Sequence, residues 1–235
     1  MCSEFEAWRA DCGGGVFSEW LRECAGPVWD AAVEHQFVAQ LFRGSVPDGV
    51  MRTYLVQDYQ FLDRFVALLG AAVASADRYS SRVVLGQQLG LVTGAEDTYF
   101  QQAFDTLQVP EADRRSPQLA TATHTLNTVM AEAADSRVYP YCLTVLTVAE
   151  WLYEDWARRA PAELPEQALY RDWITLHNTP EFRSWVGWLR EELDRTGPQL
   201  DSEGQQHCRD LFARTTLLER DFFDTAYHEP SAPSR

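Results

Sequence analysis

Apolar residues recur at intervals of three and four along almost the whole chain, and no run of alternating β-branched residues is long enough to predict a strand. The pattern predicts an all-α fold. Glycine and proline place the joints at Gly13 to Gly15, Gly26-Pro27, Gly44 to Gly49, Pro110 to Pro117, Pro140, Pro161 to Pro165, Pro180 and Gly197-Pro198, with a further break at 77–81. The helices expected between them cover 15–25, 28–43, 47–76, 80–107, 117–135, 139–160, 166–177, 179–195 and 201–227. Asp48 or Ser45, Ser80, Thr179 followed by Pro180, and Asp201 or Ser202 are the candidate helix caps. With 235 residues and no linker rich in Pro, Gly or Ser, one helical domain over 1–227 is expected. A tail from His228 to Arg235, carrying Pro230 and Pro233, is expected to be disordered.

Three segments break the rule that acids stay on polar faces. Asp58 stands three residues before Phe61 and seven before Phe65, Glu150 three before Tyr153, and Glu219 three before Phe222. A carboxylate on an apolar stripe loses hydration unless a partner or ligand hydrogen-bonds to it. Three such helices facing one another enclose a small pocket with acidic walls and aromatic floors. The eight tryptophans imply a bulky core, and Trp173, Trp185 and Trp188 read as packing.

Charge and composition narrow the chemistry. The net charge is -15, which repels phosphate backbones and anionic membrane surfaces, so neither nucleic acid nor membrane is an expected partner. All 20 basic residues are arginine, so lysine Schiff bases and phosphate-binding lysine loops are ruled out. Cys2, Cys12, Cys24, Cys142 and Cys208 are odd in number and scattered, and read as free thiols in a reducing cytoplasm. No stretch approaches the roughly 20 apolar residues of a membrane span, and the acidic start is unlike a signal peptide.

A di-iron centre needs Glu-x-x-His spacings, and none of His35, His124, His177, His207 or His228 has an acid three residues upstream, so no metal is expected. Haem is disfavoured because inward acids line a porphyrin poorly. Cys142 lies eight residues before Glu150, roughly 12 Å along a helix, too far for a shared reaction centre. Acid/base work by carboxylates remains, and a charged carboxylate beside one that keeps its proton suits an aminopyrimidine.

The chain resembles the TenA/thiaminase II family of the haem-oxygenase-like fold from about Phe17 to Tyr227. Its markers run in order: Glu34-His35-Gln36-Phe37, Tyr54 to Leu62 around Asp58, Trp151-Leu152-Tyr153, Tyr170 to Ile174, His177 to Phe182, and Glu219 to Phe223. The resemblance implies a homo-oligomer, dimeric or tetrameric, with one cofactor-free pyrimidine pocket in each copy. It implies that Asp58 binds the amidine edge of the ring and that Glu219 assists proton transfer. Phe61, Tyr153 and His177 fall at pocket positions, where Phe61 and His177 replace tyrosines. The family's nucleophilic cysteine is replaced by Ala149, followed by Glu150, which resembles the cysteine-less branch, and another pocket tyrosine maps to about Ala122. The activity implied is hydrolysis of the exocyclic C–N bond or formamide of a 5-aminomethyl-pyrimidine in thiamin salvage, with Glu219 and Glu150 sharing the acid and base roles. The alternatives are a non-catalytic pyrimidine-binding or regulatory protein, and a cofactor-free oxidase resembling pyrroloquinoline-quinone synthase.

Overall fold

A computed structural model describes the backbone of residues 3–228 and the side chains of all of these except 95–97. Twelve α-helices follow one another: α1 (Glu4–Asp11), α2 (Phe17–Val33), α3 (Gln36–Phe42), α4 (Asp48–Ser75), α5 (Tyr79–Leu91), α6 (Asp97–Thr106), α7 (Glu111–Arg115), α8 (Thr121–Ser136), α9 (Tyr139–Arg158), α10 (Ala168–Leu176), α11 (Pro180–Thr196) and α12 (Ser202–His228). No strand occurs among the described residues. The all-α expectation holds. The long helices α4, α8, α9, α11 and α12 follow the pattern closely, because each carries a broad apolar stripe.

The deviations have local causes. Gly26-Pro27 does not break a helix: α2 runs through it, with Pro27 exposed and Ala25, Trp29, Ala32 and Val33 buried on the other side. Glu23, whose carbonyl loses its donor, is exposed, and the buried stripe holds the helix on both sides of the proline. The break comes instead at His35, whose Nδ1 accepts from the Phe37 amide at 3.1 Å and caps α3. The expected helix 80–107 is interrupted by a π-helical turn at Val92–Glu96. Helix α1, absent from the expected set, is closed by a Ser3–Glu6 capping box and buries Phe5 against Phe17 and Trp20. The five-residue α7 was also not anticipated. Thr179 caps α11 as expected and Asp201 accepts from the Gly204 amide, whereas Pro47 and Arg78, without side-chain bonds, stand at the caps of α4 and α5. Helix α12 extends through His228, one residue into the segment expected to be a tail, and residues 229–235 lie outside the described residues.

Helix α9 is the axis of the bundle. Every residue from Cys142 to Glu154 on it is buried, which is the mark of a helix surrounded on all sides. Helices α4, α8, α11 and α12 pack against it, and α2 and α8 lie against α12. Asp58, Glu150 and Glu219 are thereby carried on three helices that touch one another. On the flank, Glu192 of α11 accepts from Ser81 of α5 at 2.5 Å and from the Tyr139 hydroxyl at 3.0 Å, and Arg195 bridges it to Asp77. This buried network fixes the first turn of α5. The far end of the same helix, at Leu91 and Val92, borders the cavity described next.

Candidate active site

The three acids meet at a cavity of about 210 Å³ between α4, α5, α8, α9, α10, α11 and α12. Asp58, Phe61, Glu150, Tyr153, His177 and Glu219 all line it. The cavity is therefore the place where the acidic stripes of α4, α9 and α12 converge, because each acid lies one helical turn from an aromatic side chain that faces the same way.

Glu219 is 3 % exposed, and burial pushes its carboxyl up to about 8. It therefore holds a proton at neutral pH inside an apolar wall. Asp58 and Glu150 are each 8 % exposed and sit on neighbouring walls. Glu181, near the start of α11, is an exposed fourth acid on the lining, and no arginine lines the cavity among the described residues. Four carboxyl groups, with no arginine beside them among the described residues and a His177 that stays neutral, favour a cationic or N–H-rich ligand and disfavour a phosphorylated one.

His177 stands at the C-cap of α10, and its Nδ1 lies 2.9 Å from the Trp173 carbonyl oxygen. A carbonyl only accepts, so Nδ1 carries the proton and Nε2 keeps a lone pair. Burial pushes the pKa of this imidazole down to about 4, against the opposing effect of the Trp173 carbonyl, and the ring is packed by Tyr153, Trp173 and Phe182. His177 is thus a neutral acceptor at any physiological pH.

Aromatic rings form the remaining walls. Phe61 stacks on Phe65 at 5.6 Å, and both reach the cavity, as do Trp173, Phe182 and Phe222. Trp173, read from sequence as packing, faces the cavity, although its burial gave no signal of that. Phe222 was legible from its position one turn after Glu219. Glu181, the α5 residues Gln88 and Leu91, and Val92 in the turn that follows carried no signal, because they reach the cavity from helix ends, where periodicity says nothing. The position facing the cavity from α8 is Leu126, and Ala122, in the first turn of that helix, is not part of the lining.

The thiols stand elsewhere. Ala149 borders the cavity where a cysteine nucleophile would stand in the resembling family. The Cys142 Sγ donates to the Ala133 carbonyl at 3.4 Å, and burial pushes this thiol up to about 11. Cys208 is pushed up to about 12 by burial, and neither thiol reaches the lining. Cys2 lies outside the described residues. Among the described residues, no group of three or more His, Cys, Asp or Glu side chains is placed to hold a metal ion, and no helix is long and apolar enough to cross a membrane.

Comparison with known proteins gives a consistent picture. The family model described as the TENA/THI-4/PQQC family matches residues 23–229. An aminopyrimidine aminohydrolase of Halalkalibacterium halodurans is 22 % identical over 216 residues, covering 91 % of this chain and 96 % of that protein. Among solved structures, a TenA homologue from P. horikoshii OT3 superposes with a TM-score of 0.77 at 21 % identity, covering 91 % of this chain and 99 % of that one. A domain of unknown function with a haem-oxygenase-like fold from Shewanella denitrificans OS217 superposes with a TM-score of 0.68 at 14 % identity, covering 90 % and 92 %.

Proposed function

The chain belongs to the TENA/THI-4/PQQC family, and from that premise we propose that it is an aminopyrimidine hydrolase of thiamin salvage. The observation that carries this reading is a buried, protonated Glu219 in a cavity that also holds Asp58 and Glu150 between aromatic walls. The carboxylate of Asp58 accepts two hydrogen bonds from the amidine edge of a ring protonated at the nitrogen beside its amino group, the geometry that charge-assisted pairing favours. Phe61 and Tyr153 flank the ring. Nε2 of His177 accepts from an N–H of the substituent.

Hydrolysis then needs one proton delivered and one removed. Glu219 gives its proton to the departing nitrogen as the exocyclic C–N bond breaks, while Glu150 takes a proton from the attacking water. Water replaces the thiol that Ala149 cannot supply, and the products from an aminomethyl-pyrimidine are the hydroxymethyl-pyrimidine and ammonia. With a formamide substrate, the same two groups serve attack on the formyl carbon. The polyanionic substrate of an oxidase of the pyrroloquinoline-quinone synthase type would meet no arginine among the described residues of these walls.

Turnover of aminomethyl-pyrimidine, its N-formyl derivative and thiamin, measured side by side, tests the proposal. Release of ammonia or formate from one of the pyrimidines is the expected result. Binding of all three without turnover would favour a pyrimidine-binding protein instead.

Because no thiol lines the cavity among the described residues, thiol-blocking reagents are expected to leave turnover within about twofold of the untreated protein. Cys12 and Cys24 are exposed and will react, so labelling followed by mass spectrometry confirms that modification took place. Complete inactivation traced to Cys142 would restore a covalent mechanism. The unpaired cysteines fit a cytoplasmic protein. The exposed Tyr79, Val83 and Leu91 on α5 fit burial between copies in a homo-oligomer.

A further inference from the structure

Two of the residues that line the cavity are exposed, Leu91 at the end of α5 and Glu181 near the start of α11, and these mark its mouth. Glu181 is carried by a turn that supplies five lining residues, Leu176, His177, Thr179, Glu181 and Phe182. Two hydrogen bonds hold that turn in place. Asn178 Nδ2 donates to the Ala157 carbonyl of α9 at 3.1 Å, and the Thr179 hydroxyl accepts from the Phe182 amide at 3.0 Å. The other lining residues of α5, of the turn after it and of the α11 start, Gln88, Leu91, Val92, Thr179 and Phe182, are uncharged. Glu181 enters no ion pair among the described residues. Arg183, the next charged residue on α11, donates from Nε to the Thr179 carbonyl at 3.5 Å and is not part of the lining.

A carboxylate on the rim of a cavity with apolar walls acts at a distance, because the low-dielectric walls focus its field along the opening instead of letting it spread into water. It needs no contact with the ligand and no particular rotamer. We propose that Glu181 is a specificity-determining residue: its charge at the mouth admits a cationic, unphosphorylated pyrimidine and turns away the phosphate ester of the same ring. This rests on the pyrimidine reading above, in which the ring is bound protonated beside its amino group. The two acids then read different things. Asp58, buried inside, meets one edge of the ring, whereas Glu181 responds to the net charge of the whole molecule, substituent included.

Charge reversal separates this role from a structural one, because a distorted mouth weakens every ligand while a reversed charge moves two ligands in opposite directions. The test titrates hydroxymethyl-pyrimidine and its phosphate monoester by calorimetry into the parent, Glu181→Gln and Glu181→Arg, at about 20 mM and about 500 mM salt. At low salt, hydroxymethyl-pyrimidine is expected to bind about threefold more weakly to Glu181→Gln and about tenfold more weakly to Glu181→Arg. The ester is expected to bind more tightly to both variants, by at least the same factors. Both shifts are expected to shrink at high salt, where screening cuts the reach of the charge to a few ångström. An ester bound as weakly by Glu181→Arg as by the parent, both ligands weakened together, or shifts that persist undiminished at high salt would overturn the inference. The side chain is exposed, so neither substitution threatens the fold. A parent that binds neither ligand would overturn the pyrimidine reading itself. Binding with the expected shifts but no turnover would leave this inference standing and remove only the hydrolase activity, so the failures are told apart.

Discussion

Replacement of Glu219 by glutamine is expected to lower turnover at least about 100-fold while leaving the fold intact, because general acid catalysis by a positioned side chain contributes roughly 10²–10⁴-fold. The glutamine matches the glutamate in shape but cannot release a proton to the leaving nitrogen. In the parent, turnover is expected to fall as pH rises through about 8, where burial has placed the Glu219 carboxyl and where the acid is lost. That limb should vanish in Glu219→Gln. Burial of Glu219, rather than a neighbouring charge, accounts for this proton. Glu150→Gln is therefore expected to lower turnover without displacing the limb near pH 8. A Glu150→Gln variant equal to the parent would leave Glu219 working alone.

The same burial has a consequence for stability. The folded-state value of Glu219 lies above its ordinary value of 4.5, so between the two the folded protein holds a proton that the unfolded chain has released. Stability contributed by this group is present below about 4.5 and is lost as pH rises through about 8. Glu219→Gln removes that loss. At pH 8 the variant is expected to gain at least about 1 kcal/mol, or roughly 2–4 °C in Tm, over the parent. The gain should shrink toward pH 5. Thermal denaturation of both proteins across this range checks the sign, and a less stable variant at pH 8 would mean that the carboxylate is charged and paired in the fold. An enzyme that becomes more stable as it loses activity is the expected signature of a group kept for chemistry.

Replacement of Asp58 by asparagine is expected to weaken binding of hydroxymethyl-pyrimidine about 10- to 100-fold, since hydrogen bonds to a charged group contribute about 1.5–3 kcal/mol. The amide offers one acceptor and one donor where the amidine edge of a ring protonated beside its amino group presents two donors, so one contact is lost and the other loses its charge. Isothermal titration calorimetry on the folded variant measures this directly. Unchanged affinity would make Asp58 a structural acid and remove the anchor from the proposed site. Comparison with Glu219→Gln separates the roles, because the latter is expected to lose turnover while retaining affinity.

The sequence by itself determined the helical class, most of the long helices and the identity of the three inward acids, because period and desolvation are local properties that a linear chain displays. Asp58, Glu150 and Glu219 could be picked out by their places on aromatic stripes before any contact was known. The chain alone misplaced the break at Pro27, since whether a proline ends a helix depends on which side its ring faces and what holds the turns around it. It was also silent on the mouth of the cavity, where Gln88, Leu91, Val92 and Glu181 approach from helix ends with no periodic signature. Only the tertiary structure gave Glu219 its proton, because the cost of charging a carboxyl is set by everything packed around it.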